Sequence, residues 1–286
     1  MGLIGGSFAL ALKKASAHHI IGVGRSQKSL KEALALGVID AYVDTLSDTL
    51  QANIHEALEG ADLVLIAAPV AQTSTILQNI KPHLSSNTII TDAGSTKSDV
   101  LACAKEVLGE QFNQFVGGHP IAGAEKSGVN AAMVDLYVGK NIVLTPTPET
   151  NRDAVASVAD FWRTCGANIS EMSAETHDSI FAAVSHLPHL LAFALVDDIA
   201  SRPNAQQLFS FAASGFRDFT RIAGSHPEMW RDISLANKTA LLNELDAYQN
   251  ELSELKQLLT NEDGAGLQAL FDRASTARNA WAKNKQ

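Results

Sequence analysis

Short apolar runs rich in β-branched residues alternate with helix-like stretches over the first half of the chain, and the alternation then stops. Residues 19–23 (HIIGV), 61–67 (ADLVLIA), 88–93 (TIITDA), 115–119 (FVGGH) and 141–145 (NIVLT) read as strands. Helical patterns at 29–36 and 71–80 separate them, a further helix is expected over 151–165, and 168–172 reads as a last strand. Strands alternating with helices specify an α/β fold with a doubly wound, mostly parallel sheet. Continuous apolar runs such as LVLIAA fit strands covered on both faces. After about Ser173 no strand signal remains and helical periodicity runs nearly to the end. The expected organisation is an α/β domain over 1–173 followed by an all-helical domain over 174–286.

Length and charge narrow the function. A chain of 286 residues is long enough for two cores. Its net charge of −9 argues against nucleic acid as a partner, since phosphate binding needs a basic face. Cys103 and Cys165 are the only cysteines, too few for a disulfide framework, so a reducing cytoplasm is expected. Nothing basic precedes the first apolar stretch, so no signal peptide is expected. The apolar region 180–199 is interrupted by Ser185, His186, Pro188, His189, Asp197 and Asp198, which reads as a buried helix rather than a membrane span.

The chain opens MGLIGGSFALAL. A dinucleotide-binding turn needs a strand, then G-x-G-x-x-G, then a helix. Gly2 and Gly5 fit its second and third glycines, making Gly2, Leu3, Ile4 and Gly5 a candidate cofactor turn; small-residue packing is the alternative. The strand and first glycine would lie upstream of Met1, so Met1 is expected to be an internal residue of the natural reading frame. Further on, GVGRSQKSL places Arg25 and Ser26 where an NAD-specific site carries an acid. An arginine there suits the 2′-phosphate of NADP, so NADP is favoured over NAD.

IAAPV (with Ala68 and Pro69), TDAGSTK (with Ser95 and Lys97) and GGHPIAGAEKSG (with His119 and Glu125) each sit at the carboxyl end of an expected strand. Open α/β sheets bind ligands along that rim. Taken singly, Lys97 and Glu125 read more readily as solvated charges. In the helical half, His177, His186 and His189 lack the carboxylate spacing of a metal site, so no metal is expected. Pro188 should kink its helix. Arg217 and Arg221, four apart, would share one helix face and could grip a carboxylate, or pair with Asp218.

Five segments together resemble the prephenate/arogenate dehydrogenase family of tyrosine biosynthesis: GLIGGS, TDAGSTK, GGHPIAGAEKSG, VSHLPHLLAFAL and GFRDFTRIAGSHPEMWRDI. The resemblance covers nearly the whole chain. It implies a Rossmann-type nucleotide domain, a helical dimerisation domain, and oxidative decarboxylation of a cyclohexadienol using NAD(P). By resemblance His119 is the catalytic base and Ser95 orients it and the nicotinamide. Arg221 and Arg217 would hold a substrate carboxylate, with His189 and His177 in the pocket and Glu125 at its entrance. Trp230 would reach in from the other subunit of a homodimer. The alternative is a non-catalytic dimeric relative that lost cofactor binding with its first strand.

Overall fold

The computed structural model describes residues 1–45, 50–124 and 126–283. They divide into two compact units, Met1–Lys238 and Thr239–Gln286.

Within the first unit the strand–helix alternation appears as expected: α1 (Leu3–Ala15), β1 (Ile21–Gly24), α2 (Gln27–Ala35), β2 (Ala41–Asp44), α3 (Leu50–Leu58), β3 (Leu63–Ile66), α4 (Thr73–Ile80), β4 (Ile89–Asp92), α5 (Ser98–Leu108), β5 (Phe115–Pro120), β6 (Asn141–Thr145), α6 (Arg152–Thr164) and β7 (Asn168–Glu171). Strand β2 carries only four residues, AYVD, too short for its pattern to stand out in the sequence. The strands form two sheets, β1-β2 and β3-β4-β5-β6-β7. All pairings are parallel except β5 with β6, which is antiparallel. Among the described residues no ladder joins β1 to β3.

Local signals explain the helices. Asn151 caps α6 by accepting from the Asp153 N–H at 2.9 Å, and Ala154, Val155, Val158, Ala159 and Trp162 form its buried stripe. In α5 the stripe is Val100, Leu101, Ala104 and Leu108. Each large aliphatic buried this way contributes roughly 1.5–3 kcal/mol. One core packs α1 and α6 with β6 around Trp162; a second packs α3, α4 and α5 with β3, β4 and β5. Helices therefore cover the larger sheet on both faces.

The helices α7 (Ala174–Phe181), α8 (Leu187–Ala200), α9 (Ala205–Ser210), α10 (Ser214–Thr220) and α11 (Pro227–Ala236) complete this unit. Between α7 and α8 the chain makes a π-turn, Ala182–His186, in which the Leu187 N–H bonds the Ala182 carbonyl. Pro188 has no N–H to offer Val184, and the kink expected there takes this form. By length and composition Ala174–Ala200 could cross a bilayer. Here His177, Asp178 and His186 engage in buried hydrogen bonds, as in a domain helix. Only Leu187 and Ala192 of α8 are buried, while Val184 is 68% exposed.

The second unit consists of most of α12 (Lys238–Thr260) and α13 (Gly264–Lys283). Glu262, at φ 53°, makes the turn between them, and Asp263 caps α13 by accepting from the Gly266 N–H at 2.9 Å.

Candidate active site

Two stretches of the carboxyl rim of the α/β layer carry the sequence-derived candidates. At the first, Gly2 caps α1 without any side-chain cap, and the earliest helical bond is Gly6 N–H to the Gly2 carbonyl at 2.9 Å. The N–H groups of Leu3, Ile4 and Gly5 precede it, so helical bonding leaves them over. A Cβ on Gly2 would meet nothing within 4 Å, whereas one on Gly5 would sit 3.3 Å from the Ala67 side chain. The turn thus faces open space at Gly2 and packs tightly on the end of β3 at Gly5. Tyr137 fixes it from behind, its hydroxyl donating to the Ile4 carbonyl at 2.7 Å. Arg25 and Ser26 are exposed just past β1, where Ser26 also caps α2 through the Ser29 N–H at 3.3 Å. Ala68 and Pro69 follow β3 on the same rim.

At the second, the half-buried His119, next to last in β5, heads a hydrogen-bonded chain. His119 Nδ1 lies 2.8 Å from His177 Nε2, and His177 Nδ1 lies 2.8 Å from Asp178 Oδ1. Burial holds His119 well below the ordinary histidine range, reinforced by His177, Lys97 and His186 and opposed by Asp178. His177 is lowered too, chiefly by burial, against the pull of Asp178. Both rings are therefore neutral near pH 7. Their tautomers then follow from the donor inventory. A carboxylate only accepts, so His177 Nδ1 carries a proton and its Nε2 is a lone pair. His119 must donate from Nδ1, which leaves His119 Nε2 as an open acceptor.

Asp178 anchors the chain. Its Oδ1 accepts the Lys97 N–H at 2.9 Å and its Oδ2 the Ser98 N–H at 2.8 Å, capping α5 from 80 residues away. Burial would raise its carboxyl, but hydrogen bonds from His177, Ser98 and Lys97 outweigh that and bring it down to about 2. Asn237 donates to the Asp178 carbonyl at 2.8 Å and contacts His186 Nδ1 at 3.1 Å. The buried His186 is lowered to about 4, mainly by burial. Its Nε2 is buried with no hydrogen-bond partner among the described residues, and the Ser95 backbone pulls the group slightly upward against burial.

The contacts continue along the helical segment. His189 stacks on Trp230, rings 3.6 Å apart and 20° from parallel, while its Nδ1 donates to the Ser185 carbonyl at 2.8 Å. Burial lowers His189, and the nearby Arg221 lowers it further. The π-turn sets this register, since it determines where Ser185 and His186 point.

The structure therefore places His119, His177, Ser95, His189, Trp230 and Arg221 along one continuous set of contacts. Trp230 is 8% exposed within its own chain, where it stacks on His189. Two expectations change. Arg217 and Arg221 do not share one regular helix: α10 ends at Thr220, Arg221 opens a 3₁₀ turn, and Arg217 is exposed beside Asp218 at 3.8 Å. Lys97 is fully buried, not solvated, because Asp92 supplies its counter-charge. Glu125 lies outside the described residues. Sequence reading missed Asp178, Asn237 and Asp92; the adjacency of His177 and Asp178 was the one available signal.

The comparisons with known proteins point one way. A family model described as the prephenate dehydrogenase nucleotide-binding domain matches residues 8–171, and one for the prephenate dehydrogenase dimerization domain matches 173–273. A prephenate dehydrogenase of Bacillus subtilis is 39% identical, covering 98% of this chain and 74% of its own. A cyclohexadienyl dehydrogenase of Zymomonas mobilis is 33% identical, covering 98% and 93%. Among solved structures, prephenate dehydrogenase from Aquifex aeolicus, in complex with hydroxyphenyl propionate and NAD+, superposes with a TM-score of 0.89. It is 36% identical, covering 98% of this chain and 95% of that one.

Proposed function

The chain belongs to the prephenate dehydrogenase family and is an oxidoreductase using a nicotinamide cofactor on a small molecule; from that premise we propose how its own residues carry out the reaction. The substrate is prephenate, converted to 4-hydroxyphenylpyruvate. A hydride leaves the ring carbon bearing the hydroxyl, the hydroxyl proton goes to His119 Nε2, and the ring carboxylate departs as CO2 while the ring aromatises. When bound, the nicotinamide supplies the hydride acceptor. The observation that carries this reading is the Asp178–His177–His119 chain, which leaves His119 Nε2 as a neutral acceptor at a strand's carboxyl end. As His119 gains its proton, the chain can pass positive charge towards the Asp178 carboxylate. Ser95, on the loop after β4, orients His119 and the nicotinamide. Purified protein supplied with prephenate and either cofactor should release hydroxyphenylpyruvate; no turnover with both cofactors refutes the reading. Parallel assays with arogenate test the other ring acid of the family. Relatives at 33–39% identity along nearly the whole chain bear dehydrogenase names, which does not favour the non-catalytic alternative.

The residues of the first stretch fit a dinucleotide. An uncapped helix N-terminus beside open space at Gly2 suits a pyrophosphate, with Leu3, Ile4 and Gly5 presenting N–H groups and Ala68 and Pro69 lining the far side. Arg25 and Ser26 favour a 2′-phosphate, hence NADP. Arg25→Asp removes a charge-assisted contact and adds repulsion. A charged hydrogen bond contributes roughly 1.5–3 kcal/mol, so the ratio of KM values should swing towards NAD by more than about tenfold. A wild type that already prefers NAD overturns this preference.

Residues 1–173 serve the cofactor and 174–286 the substrate and dimer contact. Arg221 holds a substrate carboxylate beside His189, with Arg217 in support, His177 behind His119 and Trp230 stacking on His189. Arg221→Ala should raise KM for prephenate at least about tenfold with kcat largely kept, since it removes uniform binding; an unchanged KM excludes the role. Val184, Phe219 and Leu235 are each more than half exposed, and Phe211 is 82% exposed. Apolar exposure on this scale, in a segment matched by a dimerization-domain model, supports a homodimer. Sedimentation at micromolar concentration should give twice the chain mass; a monomer refutes it. Free Cys103 and Cys165 suit a reducing cytoplasm.

A further inference from the structure

Behind His119 two charged side chains are sealed from solvent. Lys97 is fully buried, Asp92 is 2% exposed, and they form an ion pair. The same carboxylate also accepts the Gly94 N–H at 2.8 Å and the Gly118 N–H at 3.0 Å. Gly94 precedes Ser95 and Gly118 precedes His119, so Asp92 fixes the backbone next to both residues assigned to the reaction. The wrapping is close: a Cβ on Gly118 would fall 2.7 Å from the Asp92 carbonyl oxygen. Lys97 in turn holds both sides of His119. Its ammonium meets Asp92, which pins the strand end, and its amide meets Asp178, which pins the imidazole through His177.

Desolvating two charges largely cancels their attraction, so stability alone gives little reason for such a pair. An aimed, uncharged imidazole a short distance away gives one. We propose that the Asp92–Lys97 pair is a positioning element of the reaction, holding Ser95 and His119 in register and balancing charge around the imidazole. This rests on the reading of His119 as the base. Four groups bear on that ring, Lys97 from the loop before α5, His177 and Asp178 from α7, and His186 from the π-turn, and Asp92 from β4 acts through its pairing with Lys97 and its field at His177. Removing Lys97 leaves Asp92 uncompensated and favours the imidazolium; removing the Asp92 charge leaves the ammonium uncompensated and opposes it.

The test is the pH profile of kcat/KM for prephenate in Lys97→Met, Asp92→Asn and the double variant. Lys97→Met should move the acid limb up by about one pH unit and Asp92→Asn should move it down by a similar amount. The double variant should return the limb to within a few tenths of wild type while kcat stays lowered, because an amide at position 92 cannot accept from both Gly94 and Gly118. Acid limbs that coincide in both single variants overturn the proposal, because a purely structural pair would lower activity without moving them. Should Lys97→Met fail to fold, the isosteric Asp92→Asn carries the test alone, and an unshifted limb is then decisive. A His119→Ala protein retaining the wild-type acid limb instead refutes the role of His119, whatever the pair does.

Discussion

Replacing His119 with alanine is expected to lower kcat by about 10²–10⁴-fold, the usual loss on removing a positioned acid–base group, while affinity for the nicotinamide cofactor stays within about twofold. The split follows from the geometry. The His119 side chain, near the end of β5, bonds His177, whereas the cofactor turn at Gly2–Gly5 is fixed separately by Tyr137 and Ala67. The wild-type pH profile should show the same group. A base must be uncharged to take a proton, and burial holds His119 well below the ordinary histidine range. Activity should therefore persist as pH falls past 6.5 and fail only when it drops through the lowered value. A wild-type acid limb at or above 6.5, or an alanine variant with near-normal kcat, would assign the proton transfer to another group.

Much of the frame was legible because it depends on local pattern. Strand β6 is readable to its residue limits from NIVLT, and α6 from its Asn151 cap and buried stripe. His119 was legible because a histidine among Gly117, Gly118 and Pro120 at a strand end has little packing to do. What stayed hidden depends on how the chain turns and folds back. Lys97 reads as a solvated charge until the loop after β4 turns its ammonium back onto Asp92, five residues earlier. Asp178 looks like one more acid on an amphipathic helix until α5 presents two N–H groups to it across 80 residues. The π-turn is hidden for another reason. Pro188 announces a kink, but whether the helix breaks, bends or gains a residue depends on what packs around it.

Asp178→Asn should impair both the fold and the reaction, although it changes one atom. The carboxylate accepts from Lys97 N–H and His177 Nδ1 on one oxygen and from Ser98 N–H on the other. An amide has a single acceptor. With its oxygen towards Lys97 and His177, its NH₂ confronts the Ser98 N–H; reversed, it confronts the Lys97 N–H and forces His177 to accept at Nδ1. Either orientation sets a donor against a donor at the buried start of α5. An unsatisfied buried donor costs about 1–3 kcal/mol, a visible part of a typical stability of about 5–15 kcal/mol. The melting temperature should fall by several degrees. The second orientation does further harm. His177 would then carry its proton on Nε2, His119 would accept at Nδ1, and its own proton would move to Nε2, the atom that must receive one. Even in the first orientation the negative charge that stabilises a protonated imidazole is gone. A rate loss of at least about tenfold is expected beyond what stability explains, measured at a temperature where the variant is fully folded. Because the wild-type carboxyl sits at about 2, its charge is present throughout the working range, and the deficit should not be repaired by raising the pH. A variant that melts lower yet turns over normally would reduce Asp178 to a helix cap and leave His119 to act without the chain behind it.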